Sequence, residues 1–252
     1  MMIRTGLSSS PVIGALLTVA GQGQAVAQEA VDAWSLDVRA GAVSQYRDRG
    51  SDLSGGEPAL QGEAVLSPGS GFYGGVWAST IVEYGSGVDG EGAPVELTLS
   101  AGWAGSAAGF DLDLGVWSNH YPGGEDVAFL EFPIQAGRTL EPVDLSLGLV
   151  WAPAQTGTGD EADAWLWTRI EHAPQAWPVR LYATLGYEEG GFAPDGKTDW
   201  GLGLEVPAGP ATLGLAWVDS DVEDGALVAS VFWNFGSQAD RPAPRPAPSA
   251  SR

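Results

Sequence analysis

Apolar and polar residues alternate with a period of two over much of this chain. Between Val95 and Trp103, apolar residues hold every odd position, while Glu, Thr, Ser and Gly hold the even positions. The segments 110–116, 143–151 and 179–186 follow the same pattern. Because successive side chains of a β-strand point to opposite faces, this pattern predicts strands that have one apolar and one polar face.

The alternation predicts twelve strands. They cover residues 35–45, 59–67, 71–81, 95–104, 110–119, 128–138, 143–151, 163–171, 179–187, 199–206, 211–219 and 226–235. Strands of about ten residues suit a tilted crossing of the bilayer hydrocarbon. Pro133 interrupts the sixth strand and cannot donate a ladder hydrogen bond, so we expect a β-bulge there.

The connections between these strands alternate in length. Long ones cover 46–58, 82–94, 120–127, 152–162, 188–198 and 220–225, and short turns rich in Gly and Pro cover 67–70, 105–109, 139–142, 172–178 and 207–210. Long loops outside and short turns inside are features of outer-membrane barrels. We therefore predict an all-β fold, a single closed antiparallel up-and-down transmembrane β-barrel of about twelve strands, with both termini in the periplasm.

Tryptophan placement supports the same architecture. Six residues fall at or near predicted strand ends, where an aromatic girdle meets the membrane interfaces: Trp34, Trp103, Trp151, Trp200, Trp217 and Trp233. The alternative is a soluble β-sandwich, which places tryptophan at strand centres. Trp77, Trp165 and Trp167 partly fit that alternative, and the sequence leaves the facing of Trp77 open because its strand has apolar residues on both parities.

The two ends of the chain differ from the middle in composition. Arg4, an apolar run over 11–20 and the small-residue site Ala25-Val26-Ala27 predict a signal peptide over residues 1–27 and export to the outer membrane of a Gram-negative bacterium. No later segment is apolar for about 18 residues, the length of a membrane-spanning helix. We assign 28–235 to the barrel and 236–252, rich in Pro and Ala, to a solvated tail.

Composition excludes several classes of function. The formal net charge of −21 disfavours nucleic acid as a partner and docking of a soluble protein on anionic lipid. The absence of cysteine removes disulfides, lipoprotein acylation and thiolate metal sites. The loop 219–225 faintly resembles a calcium loop, but Ser230 stands where a bidentate glutamate is needed, and a solvated acidic rim is the alternative. We expect no metal and no cofactor.

Catalysis finds little support in the sequence. The two histidines, His120 and His172, fall at opposite ends of the predicted barrel. Neither has a Ser and Asp arrangement that indicates a catalytic triad. We therefore expect that the protein is not an enzyme.

Alternation turns charged residues toward the barrel interior. The acidic ones are Asp37, Glu63, Glu96, Asp111, Asp113, Glu131, Asp144, Glu171 and Glu205, and the basic ones are Arg39, Arg169 and Arg180. Acidic residues are in excess, and a narrow low-dielectric wall focuses their field. If the lumen conducts, we expect it to select cations.

Several short motifs resemble those of a known family. They are Tyr46-x-x-Arg49-Gly50, Pro58-Ala59-Leu60-Gln61-Gly62, the segment from Gly71 to Ser79, and Asp199-Trp200-Gly201-Leu202-Gly203. These motifs resemble the TorF family of porins, and the resemblance covers most of residues 35–235. It implies a small proteobacterial outer-membrane barrel and no catalytic residues. One departure is the segment after Phe235, since such barrels usually end on an aromatic residue that the assembly machinery reads.

Together these features predict a porin-like barrel for passive diffusion of small cationic or neutral solutes. The alternative is a non-conducting structural or surface-binding barrel. The expected partners are outer-membrane lipid, lipopolysaccharide, the barrel-assembly machinery and small solutes. The sequence leaves open the oligomeric state, the solute and whether a loop folds inward as a plug.

Overall fold

The computed structural model describes residues 34–85 and 92–236. Every predicted run forms a strand, and the observed bounds differ from the predicted ones by a few residues at most. The strands are β1 (Ser35–Val43), β2 (Arg47–Asp48), β3 (Ser51–Asp52), β4 (Ala59–Gly69), β5 (Phe72–Tyr84), β6 (Ala93–Ala107), β7 (Phe110–His120), β8 (Phe129–Leu140), β9 (Val143–Ala152), β10 (Asp163–His172), β11 (Arg180–Gly190), β12 (Lys197–Ala208), β13 (Ala211–Ser220) and β14 (Ala226–Gly236). A 3₁₀ turn, Thr156–Thr158, follows β9.

Twelve of these strands form a closed barrel, as the sequence predicts. Strands β1 and β4 to β14 each pair antiparallel with their neighbours in the chain, and β1 pairs with β14 to close the ring. The two short strands β2 and β3 pair only with each other, inside the connection 44–58. Closure satisfies the hydrogen-bonding groups that an edge strand would leave open.

The two faces of the barrel differ in chemistry. Large apolar side chains on the outward parity are exposed, for example Leu147 at 53% and Leu202 at 66%. On the opposite parity lie polar and aromatic side chains that contact one another across the interior. Trp77 is only 8% exposed and faces inward, which decides the orientation that the sequence leaves open.

The two ends of the barrel carry different connections. The loop end has 44–58, 121–128, 153–162, 191–196 and 221–225, together with 85–92, which contains residues outside those described; the turn end has 70–71, 108–109, 141–142, 173–179 and 209–210. The predicted alternation in length fails at one place. Strands β11 and β12 extend beyond their predicted ends, so the loop 191–196 is shorter than the turn 173–179.

The bulge expected at Pro133 is absent, and that expectation is wrong. Pro133 pairs in register with Val150 on β9. On the other side, the pairs Leu114 with Ile134 and Trp117 with Glu131 keep one register across the proline. The proline fits because it faces Gly115, whose Cβ, if present, would lie 3.3 Å from Pro133 Cγ. Register shifts occur instead between β4 and β5 and between β5 and β6.

The predicted signal peptide and nearly all of the predicted tail lie outside the described residues. Gly236, the first residue of that tail, belongs to β14. Within 34–85 and 92–236, no helix has the length and apolar composition needed to span a membrane.

Candidate functional site: an inward loop and its charged walls

The loop 44–58 folds into the barrel interior. Its strands β2 and β3 are joined by Arg49 and Gly50, both in the left-handed region with φ of 46° and 82°. This is the backbone that a two-residue hairpin turn requires, and it is unusual for a residue other than glycine. Tyr46 N donates to Ser54 Oγ over 2.8 Å, and Leu53 N donates to the carbonyl of Tyr46 over 2.9 Å. The loop is thus a compact hairpin that directs Arg49 inward.

The side chain of Arg49 joins this loop to three strands of the wall. Its Nη1 donates to Glu188 Oε1 on β11 over 2.6 Å, and its Nη2 donates to Glu131 Oε1 on β8 over 2.8 Å. The guanidinium carbon lies 4.8 Å from the ring centroid of Trp165 on β10. The exposed fraction of the Arg49 side chain is 0%. Burial lowers the pKa of Arg49, but the carboxylates of Glu131, Glu188 and Asp48 outweigh burial and hold it well above the ordinary value.

Other polar residues of the wall contact the carboxylates of Glu131 and Glu188. Asn119 Nδ2 donates to Glu131 Oε2 over 2.9 Å, and Thr98 Oγ1 donates to Asn119 Oδ1 over 2.7 Å. Lys197 Nζ lies 2.6 Å from Glu188 Oε2. All of these side chains are buried. We call Arg49, Glu131, Glu188, Asn119, Thr98 and Lys197 the loop-end cluster.

A second set of contacts joins the loop to the neighbouring walls. Tyr46 and Tyr121 both donate to Glu96, over 3.2 Å and 3.3 Å. The ring of Tyr46 packs 5.7 Å from that of Trp77. Burial raises the pKa of Tyr46 and of Tyr121, so both hydroxyls stay protonated and donate. On the far side, a Cβ on Gly50 would lie 2.5 Å from Ser220 Cβ, so the loop also touches β13.

The turn-end half of the interior is more open. Arg169 pairs with Glu171 at 2.7 Å and stacks 3.9 Å from the ring of Tyr182. Arg180 lies 3.6 Å from Glu205, and these two side chains are 34% and 24% exposed. Arg39 lies 3.9 Å over the ring of Phe232 and pairs in the ladder with Glu63. Each predicted interior arginine therefore has an acidic neighbour.

Strands β7 and β9 carry carboxylates without basic partners. Asp113 accepts hydrogen bonds from Tyr73 at 2.8 Å and Gln135 at 3.2 Å. Asp111 accepts from Ser106, and Asp144 accepts from Thr139, each over 2.6 Å. In the part of the chain that the structure describes, no Lys or Arg forms an ion pair with these three aspartates. Asp37 lies on β1 near the turn end.

Sequence reasoning did not find most of the loop-end cluster. It placed Glu96 and Glu131 inside the barrel but missed Arg49, Glu188 and Lys197. Glu188 shares the inward parity of Arg180 and Tyr182 on β11, but the predicted strand stops at 187 and leaves it in a loop. Continuing the alternation by one residue would have found it.

The predicted girdle tryptophans lie at two levels of the barrel. Trp34, Trp103 and Trp233 are toward the turn end, and Trp151, Trp200 and Trp217 are toward the loop end. All except Trp103 are exposed, between 38% for Trp200 and 68% for Trp34. Trp103 is partly covered and donates its Nε1 to the carbonyl of Ser70 over 3.2 Å. Their contact with lipid stays a prediction.

The histidines and the acidic loop have local partners. His120 Nε2 lies 2.8 Å from Ser118 Oγ, and His172 Nδ1 lies 2.7 Å from the carbonyl of Pro142, at the other end of the barrel.

In the loop 221–225, Glu223 accepts from Asp52 N over 2.9 Å and from Arg47 over 3.4 Å. The loop 221–225 is therefore hydrogen-bonded to the inward hairpin of the loop 44–58.

A closed antiparallel barrel of twelve strands, apolar outside and polar inside, is the architecture of outer-membrane porins. A solved structure of the KdgM porin matches with a TM-score of 0.55 at 9% identity, covering 80% of this chain and 99% of that one. The KdgM porin in complex with disordered oligogalacturonate matches with the same score and coverage at 10% identity. The NanC porin matches with a TM-score of 0.48 at 9% identity, covering 79% and 97%. At these identities the likeness to KdgM shows the fold.

The family is shown by a separate comparison. Residues 27–239 match the model of the family described as bacterial protein of unknown function (Gcw_chp), and the chain belongs to this family. No curated protein matches the chain.

Proposed function

We propose that this protein is an outer-membrane, porin-like barrel for passive diffusion of small cationic or neutral solutes, with the loop 44–58 as its constriction. The observation that carries the proposal is the contrast between the two faces of the strands. Leu147, Leu185 and Leu202 are more than half exposed on the outside, which suits lipid contact. Inside the turn-end half, charged side chains such as Arg180 and Glu205 stay partly exposed, which suits a water-filled lumen.

The proposed preference for cations follows from how the interior charges are paired. The arginines at 39, 169 and 180 each have an acidic neighbour, so they add little net field. Asp111, Asp113 and Asp144 have only neutral hydrogen-bond donors. An excess of negative charge on a low-dielectric wall attracts cations and repels anions. The KdgM structure was determined with oligogalacturonate, an acidic sugar polymer, and we expect this interior to repel such a molecule.

The finer assignments belong to the same proposal. Export through a signal peptide over 1–27, the TorF relationship, and contact with lipopolysaccharide and the barrel-assembly machinery fit a barrel of this kind. The motif Tyr46-x-x-Arg49-Gly50, part of the TorF resemblance, forms the inward hairpin. That position gives the motif a structural role at the constriction.

A non-conducting structural barrel is the second candidate. The observation that favours it is the complete burial of Arg49, Glu131 and Glu188 at the loop end. If this arrangement never opens, solutes cannot pass along that side of the lumen.

Planar bilayer recordings of the refolded protein test both candidates. We expect discrete conductance steps and a cation-selective reversal potential under a salt gradient. Replacing Asp111→Asn and Asp113→Asn together should shift the potential toward zero, because it removes two unpaired lumen charges. Asp160→Asn is the matched control, since Asp160 is exposed on the loop 153–162. An anion-selective potential would contradict the preference, and silence of the wild type and of an Arg49→Ala variant would favour the non-conducting barrel.

A further inference from the structure

The guanidinium of Arg49 occupies a site whose hydrogen-bonding carboxylates and aromatic ring all come from the barrel wall. Glu131 comes from β8, Glu188 from β11 and Trp165 from β10. The loop supplies the occupant and Asp48, whose carboxylate lies 3.7 Å from Arg49 Nε. We propose that this wall site binds guanidinium-bearing solutes, and that Arg49 is a tethered occupant that closes the barrel until such a solute takes its place.

The contacts fit a guanidinium group in particular. Two different nitrogens reach two different carboxylates, at 2.6 Å and 2.8 Å, while the guanidinium carbon lies over an indole ring. A guanidinium presents a planar fork of N–H donors and stacks on aromatic faces, and an ammonium group is a compact charge without that fork. Guanidinium should therefore bind more tightly than ammonium.

The site is held in place largely without help from the loop. Asn119 and Thr98 fix Glu131, and Lys197 lies against Glu188. Trp165 Nε1 donates to Asp199 Oδ2 over 2.8 Å, which fixes the indole ring. Because wall residues orient the two carboxylates and the ring, the receptor geometry should persist when Arg49 leaves.

The backbone conformation of Arg49 favours release of the loop. The turn that presents Arg49 to the wall holds this residue at a φ of 46°, in a region that residues other than glycine seldom adopt. If the turn opens when the hairpin leaves the wall, Arg49 can return to an ordinary conformation. A soluble guanidinium makes the same contacts with the wall and carries no such constraint.

Calorimetric titration of the refolded full chain in detergent, with guanidinium chloride at millimolar concentration, tests the binding. Sodium chloride at equal concentration controls for ionic strength, and ammonium chloride tests the role of the fork. We expect Arg49→Ala to bind guanidinium about tenfold or more tightly than wild type, in which the site is filled. Adding Glu131→Gln to Arg49→Ala should weaken binding by about tenfold, the effect of losing one charge-assisted hydrogen bond.

Bilayer recordings separate this inference from the proposed channel, on which its closing role rests. In wild type, we expect guanidinium to raise the open fraction because it displaces Arg49, and in Arg49→Ala, whose site holds no tethered occupant, we expect no such rise. Binding that is equal in wild type, Arg49→Ala and the double variant would overturn the site, whatever the current. Binding to Arg49→Ala alone, with no current in any variant, would support the site and count against the channel. If Arg49→Ala does not refold, Arg49→Gln takes its place as the reference variant. Its double variants Arg49→Gln/Glu131→Gln and Arg49→Gln/Glu188→Gln should then bind guanidinium more weakly than Arg49→Gln does. Equal affinities in all three variants would overturn the proposed site.

Discussion

The two halves of the barrel interior use the same residue types in different surroundings. At the loop end, Arg49 and Glu188 form an ion pair whose side chains are fully buried. At the turn end, Arg180 and Glu205 form a pair that stays partly exposed. Because the inward hairpin covers only the first pair, one barrel contains both charges that are shielded from solvent and charges that are exposed to it. The hairpin, and not the choice of residues, makes the difference.

Burial changes what each pair contributes. A buried charge that loses its partner keeps its desolvation penalty, whereas an exposed one is rehydrated. Single substitutions in the loop-end cluster should therefore lower the free energy of unfolding strongly. Single substitutions of charged residues in the turn-end half of the interior should change it little.

The largest expected contrast is between Glu131→Gln and Glu171→Gln. Glu131 is 1% exposed, and Glu171 is 23% exposed beside Arg169. Glu131→Gln should lower the free energy of unfolding by about 3 kcal/mol, as expected when a buried pair loses one partner. Glu171→Gln should cost about 1 kcal/mol or less, as for a solvated pair. Urea unfolding in detergent, followed by tryptophan fluorescence, measures both, and equal losses would remove the distinction between the two halves.

A smaller contrast is expected between two tyrosines that donate to carboxylates. Tyr46→Phe removes a buried hydrogen bond to Glu96, and Tyr73→Phe removes a partly buried one to Asp113. We expect losses of about 1–3 kcal/mol for the first and about 1 kcal/mol or less for the second. The same unfolding assay compares them. A larger loss for Tyr73→Phe would mean that water reaches the pair of Tyr46 and Glu96 as readily as the pair of Tyr73 and Asp113.

The smallest expected effect concerns pH and Asp48. Burial raises the pKa of Asp48 well above its ordinary value, although the nearby charge of Arg49 opposes this. The docked loop thus favours protonated Asp48, so this contribution to docking is present in full below the ordinary carboxyl pKa and is lost as pH rises through the raised one. If the barrel conducts as proposed, its opening should become more frequent with rising pH.

Asp48→Asn provides the matched test of that pH dependence. The neutral amide should reduce the slope of opening frequency against pH and keep the loop docked at neutral pH. Bilayer recordings over a pH series that begins below the ordinary carboxyl pKa compare the two slopes. A slope that is the same in wild type and variant would show that another group titrates.

The fold was accessible from the sequence because its signal is local and repeated. Alternation along each strand, as in 95–103 and 143–151, indicates which side chains face outward. Pairing of each strand with its neighbour in the chain gives an up-and-down sheet, which the pairing of β1 with β14 closes. The inward loop has no such signal. Arg49 and Glu188 are 139 residues apart, and no local periodicity relates them. The expected bulge at Pro133 failed for a similar reason, since the facing Gly115 belongs to another strand.

The long separation between Arg49 and its partners also bears on the order of assembly. The hairpin at 44–58 is made early in the chain, but β8 and β11 come much later. We expect the hairpin to dock only after those strands are in place, and contacts between distant residues form slowly in general. Docking of Arg49 would then report that the barrel is complete. In a barrel that lacks its later strands, Arg49 has no carboxylate partners, so the hairpin stays undocked.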